Sequence, residues 1–125
     1  MIRIAEAAIA RLAERSAGLE AAAFVTDDGF RVASLNRGSA DENRLSSMTS
    51  TTQALGEAII RELALGDASH VAVSGTRGAL LVRRVGRLPY VLVAVFAPAA
   101  VEDGRTVRLV AAWAAHALAA GGEES

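Results

Sequence analysis

The segment Tyr90-Val91-Leu92-Val93-Ala94-Val95-Phe96 contains no polar position, and it constrains this chain more than any other feature. It reads as a strand. Successive side chains of a strand point to opposite faces of its sheet. A strand apolar at every position is therefore covered on both faces, and a sheet covered on both faces has helices on both sides. The turn Gly86-Arg87-Leu88-Pro89 leads into the run, and Pro98 ends it.

The remaining elements are arranged around that strand. Residues 2–15 place Ile2, Ala5, Ile9 and Leu12 at helical spacing. Ser16-Ala17-Gly18 stops this helix, with Gly18 expected in the left-handed conformation. Two short apolar runs, 19–26 and 30–35, flank Asp27-Asp28-Gly29, which predicts a hairpin with a type I′ turn. Asn36 to Ala40 is a polar loop, and Asp41 is an N-cap with Glu42 in the first turn behind it. Segment 41–65 is a long helix whose apolar stripe, Leu45, Met48, Thr52, Leu55, Ile59 and Leu63, is expected to face the sheet. Gly66-Asp67 stops it. Strands follow at Ser69–Ser74 and Ala79–Val85, joined through Thr76-Arg77-Gly78, and then comes the apolar strand. Arg105 to Ala120 is the last helix, and residues 121–125 form a disordered tail. The order is αββαβββα: one α/β (α+β) domain over residues 1–120, with a five-stranded, mainly antiparallel sheet between helices. Phe24, Val32, Leu81, Val91, Leu92, Val93 and Val95 are the expected core, and Ser69–Ser74 an edge strand in need of a neighbour.

Composition narrows the chemistry. Thirteen basic and fourteen acidic residues give a net charge of −1, which offers no electrostatic reason to bind nucleic acid or an anionic membrane. Cysteine is absent, so thiolate metal sites, disulfides and a cysteine nucleophile are excluded. Lysine is absent as well, which excludes an ordinary P-loop and Schiff-base chemistry. His70 and His116 are the two histidines, too few for a multi-histidine metal centre. No signal segment and no run of 18 apolar residues is present, so the expectation is a soluble cytoplasmic protein.

Individual candidates point the same way. Gly75-Thr76-Arg77-Gly78 joins two strands and cannot present phosphate oxygens to a helix N-terminus, so it is a hairpin turn. The hydroxyl run from Ser46 to Thr52 lacks a nearby histidine to activate a serine, and its small side chains suit close approach by another helix. Arg83 and Arg84 point to opposite faces and, with Arg77 and Arg87, read as solvated arginines and surface ion pairs. Arg77 is the one placed on a loop as an arginine finger would be. Asp27 and Asp28 are explained by turn chemistry. No catalytic, cofactor-binding or metal-ligating residue is therefore assigned. One strip stands apart, on the side of the long helix opposite that stripe: Ser47, Thr51, Ala54, Ala58 and Leu65 align as uncharged residues, all but Leu65 small. A solvated face would carry charge there. The strip is expected to meet its own copy across a two-fold axis, with Val71 and Val73 of the edge strand extending the sheet between protomers.

The run from Leu19 to Ser34 with its Asp-Gly turn, the helix from Asn43 to Leu65 with its Ser-Ser-Met-Thr-Ser run, and the strands Ala79–Val85 and Tyr90–Phe96 together resemble roadblock (dynein light-chain) domains. The likeness spans nearly the whole chain. It implies a profilin-like three-layer α/β/α sandwich, the long helix on one face and the terminal helices on the other. It also implies homodimers or heterodimers formed through the long helix and the following edge strand. Members of the family are not enzymes in their own right. They are platforms for small Ras-like GTPases or for motor and signalling assemblies, and those of the bacterial MglB-like branch stimulate GTP hydrolysis without donating an arginine finger. An arginine-only basic set and 28 alanines suggest a GC-rich bacterial genome and hence that branch. Two readings stay open: a dimeric regulator that activates a GTPase, or a scaffold that bridges other roadblock or sensor-kinase proteins without altering hydrolysis.

Overall fold

The computed structural model describes residues 1–68, 70–97 and 104–121. Its elements are α1 (Ile2–Arg15), β1 (Leu19–Thr26), β2 (Arg31–Asn36), α2 (Glu42–Glu62), β3 (Val71–Gly75), β4 (Gly78–Arg84), β5 (Tyr90–Phe96) and α3 (Gly104–Ala119). The expected order αββαβββα is the observed one. The strands form a single sheet in the order β2-β1-β5-β4-β3, with every neighbouring pair antiparallel. The apolar strand β5 is at its centre, between β1 and β4. Leu92, Ala94 and Phe96 pack towards α1 and α3, while Val91 and Val93 pack on the α2 side. Period-2 alternation thus sends each half of one apolar run into a separate core layer.

The layer under α1 and α3 is the larger. Ile4, Ala5, Ala8, Ile9 and Leu12 of α1 meet Val107, Val110, Ala111, Ala114 and Leu118 of α3 over Leu19, Ala22 and Phe24 of β1. Alanine at Ala5, Ala8, Ala111 and Ala114 lets the two helices lie close together. At the rim of this layer the Arg11 guanidinium lies 4.0 Å from the Trp113 ring centroid, a cation–π contact. Phe24 and Tyr90 pack with ring centroids 5.6 Å apart and ring planes tilted by 38°.

Several local expectations are corrected. Gly18 does not take a positive φ; α1 ends instead on an extended Ser16 with φ −127°. The hairpin forms at Asp27-Asp28-Gly29, but only Gly29 is left-handed, at φ +90°. The Gly29 amide donates to Thr26 O at 2.9 Å, and the Thr26 amide donates to Phe30 O at 2.9 Å. That is a three-residue loop closed by a glycine bulge rather than a type I′ turn. The α2 helix stops at Glu62, sooner than Leu65. Phe24, Val91, Leu92 and Val93 are fully buried as expected, whereas Val32, Leu81 and Val95 are half-buried. Val32 belongs to edge strand β2. Leu81 borders a cavity beside the start of α3, and Val95 lines an open trough on the α2 face of the sheet. The expected strand start at Ser69, the break at Pro98 and residues 122–125 of the tail lie outside the described residues.

Candidate functional site

The long helix α2 is built opposite to expectation. Asp41 caps it: its carboxylate accepts from the amides of Asn43 and Arg44, each at 3.1 Å. The residues turned to the sheet and buried there are Ser46, Thr49 and Gln53. Two of them cost little to bury, because each hydroxyl donates to a carbonyl of its own helix. Ser46 Oγ reaches Glu42 O at 2.9 Å and Thr49 Oγ1 reaches Leu45 O at 2.7 Å. Gly56 belongs to the same face, where a Cβ would run into a Val71 methyl of β3. The hairpin turn approaches from the other end: a Cβ on Gly29 would lie 3.3 Å from Ser47 Cα. Small residues on α2 let the helix sit low on its own sheet.

An ion-pair knot fastens it there. Arg84 points from β4 towards α2; its Nε donates to Glu57 Oε2 at 2.6 Å and its Nη2 to Glu57 Oε1 at 3.0 Å. Nη1 donates to Asp27 Oδ1 at 2.9 Å and to Leu88 O at 2.8 Å. One guanidinium thus ties α2, the β1–β2 turn and the β4–β5 turn. The Arg84 hydrogen bonds hold the Glu57 carboxyl below its ordinary range, and the same pairing raises the pKa of Arg84. In the sequence Asp27 reads only as a turn former, and Glu57 carries no signal at all. Their union with Arg84 is tertiary, and no sequence spacing announces it.

Of the stripe expected to face the sheet, Leu45 packs against that core layer and Thr52 is half-buried. Met48, Leu55, Ile59 and Leu63 are exposed, and Leu65 just beyond the helix is too, at 46–63% of their surface. Met48, Leu55 and Ile59 thus line the outward side of α2, and Ser46, Thr49 and Gln53 the inward side. The strip of Ser47, Thr51, Ala54 and Ala58 is placed alongside: Ser47, Thr51 and Ala54 are exposed and Ala58 half-exposed. Val71 lies under Gly56 and is half-buried. Val73 is exposed on β3, an edge strand. The outward face of α2 and the β3 edge together make the candidate site: a mostly uncharged apolar surface beside a row of strand hydrogen-bonding groups with no neighbour in the sheet.

Other candidates fall elsewhere. Arg77 is exposed in the β3–β4 turn. His116 is on α3 and His70 just ahead of β3, both exposed. No three histidine, aspartate or glutamate side chains among the described residues gather as a metal would require. No described helix is long and apolar enough to cross a membrane.

A family model described as Roadblock/LC7 domain matches residues 7–96. No curated protein matches the chain. Among solved structures, MglB of Myxococcus xanthus is 20% identical, with 98% of this chain and 90% of that one covered and a TM-score of 0.76. The gliding protein MglB of Thermus thermophilus is 22% identical, with coverage of 99% and 92% and a TM-score of 0.74. An MglB with a tetrameric arrangement is 25% identical, with coverage of 97% and 91% and a TM-score of 0.72.

Proposed function

This chain belongs to the Roadblock/LC7 domain family, and from that membership we propose that it works as a non-enzymatic platform, pairing with a second copy of itself and binding a small Ras-like GTPase whose GTP hydrolysis it stimulates. The observation that carries the pairing is the outward apolar face of α2. Burying one large apolar side chain is worth about 1.5–3 kcal/mol. A face bearing Met48, Leu55, Ile59 and Leu63 has a strong drive to leave water. A second copy fits that drive, because a two-fold axis lays the stripe against itself and brings the two β3 edges alongside one another. Ser47, Thr51, Ala54, Ala58 and Leu65 border the contact, with Val71 and Val73 at the strand joint. The family likeness supports the GTPase reading, and the MglB structures at similar fold support it further.

The test combines complex formation with catalysis by the partner. The chain is mixed with a Ras-like GTPase of its own organism loaded with GTP. Co-elution on a sizing column together with faster single-turnover hydrolysis is expected. Co-elution with an unchanged rate identifies the scaffold reading instead, and neither effect excludes a GTPase partner. Arg77→Ala should keep the stimulation, because the platform acts without an arginine finger.

A further inference from the structure

The opposite face of the sheet carries a second feature that the pairing of α2 does not use. The first turn of α3 holds no acidic residue and instead holds Arg105, with Arg108 one turn further on. Both lie at the end of the helix whose dipole repels cations. Strand alternation turns Arg83 towards α3, away from Arg84. His70, just before β3, completes the group. These four side chains and Gly104 line a cavity of about 210 Å³ between β4 and the start of α3. Burial, and next the charge of Arg108, lower the pKa of Arg83. Arg83 and His70 also have interactions of their own within the protein, so Arg105 and Arg108, both exposed, are the members available to a ligand. A wider cleft shares Arg83 and Arg108 with this cavity and is lined further along by Arg87 and by Arg84, with the carboxylates Glu57 and Asp67. In a chain of net charge −1, such a convergence of arginines is a local imbalance.

We propose that this cavity binds a phosphate-type oxyanion. Guanidinium groups present paired donors that match phosphate oxygens, and several of them converging suit a dianion better than a single carboxylate. The volume holds a phosphate or diphosphate, and it falls short of the roughly 300 Å³ at which pockets for drug-sized ligands begin. The site is independent of the proposed pairing, since α2 lies on the other face.

Calorimetric titration of the full chain with inorganic phosphate and with pyrophosphate tests it, with sodium chloride at matched ionic strength as the control. Saturable one-to-one binding is expected, absent with chloride. Arg105→Gln and Arg108→Gln should each weaken it roughly tenfold, with unchanged thermal unfolding in the absence of phosphate. Tighter binding of pyrophosphate would identify a diphosphate site, and equal affinity a site for one phosphoryl group. No saturable heat, an equal response to chloride, or unweakened binding by both variants would overturn the proposal. Glu102 and Asp103 precede α3 in the sequence and lie outside the described residues. If wild type fails to bind while Glu102→Gln/Asp103→Asn binds, the chain's own carboxylates satisfy the arginines, and the proposal is equally overturned.

Discussion

Arg84 ties three separate elements of this fold through a single side chain. Its donors reach Glu57, Asp27 and Leu88 O, so its removal frees three elements at once and leaves the Glu57 carboxylate part-buried without its main partner. Hydrogen bonds to charged groups and half-desolvated pairs lead to an expected loss of about 2–4 kcal/mol for Arg84→Ala, read from the denaturant midpoint. The pH dependence has a definite sign. The folded-state pKa of Glu57 is depressed below its ordinary 4.5, so its contribution is complete above that value and fades as pH falls through the lower, folded one. Wild-type stability should therefore decline on acidification below pH 4.5, and Arg84→Ala should flatten that part of the curve. Identical acid limbs for the two proteins would contradict the pairing. From the sequence, Arg84 is legible as a member of a surface ion pair, but its three contacts are not. Nothing local joins positions 27, 57 and 84.

At the scale of elements, β5 and α2 show what is legible in a sequence and what is not. The apolar run Tyr90–Phe96 can be placed because its constraint is internal: with no polar face, it must be central whatever surrounds it. Leu92→Ala should cost about 2–5 kcal/mol, since Leu92 is fully buried between β1 and β4 and beneath the terminal helices. An unchanged unfolding midpoint would contradict that placement. The hairpin at Gly29 and the cap at Asp41 are legible for the same reason: their chemistry is local. The orientation of α2 is not. An amphipathic helix shows which side leaves water, but not whether the apolar cover belongs to the same chain. Here Ser46 and Thr49 satisfy their hydroxyls within the helix and Gly56 permits close approach, so the polar side can face the sheet. That frees Met48, Leu55, Ile59 and Leu63 to point outward. The small-residue strip around Ala54 and Ala58 shares the exposed side with these larger apolar residues rather than lying opposite them.

The whole molecule is then a sandwich with one satisfied side and one unfinished side. Under α1 and α3 the core closes on itself. Over α2 and along β3 it leaves an apolar helix face and an open strand edge that a second copy would complete. Val73→Lys should weaken such pairing, because a charge on an edge strand opposes strand addition; a self-association constant matching wild type would remove β3 from the joint. Leu55 and Ile59 bear most directly on the central claim, since they lie mid-helix, point outward and pack in neither core layer. The decisive measurement is the solution mass, by light scattering, of wild type beside Leu55→Glu and Ile59→Arg, with circular dichroism to establish that each variant is folded. A wild type of twice the 12.9 kDa chain mass, and folded variants at the single-chain mass, are predicted. A monomeric wild type, or folded variants that keep the doubled mass, would contradict the assignment of α2 as the pairing surface.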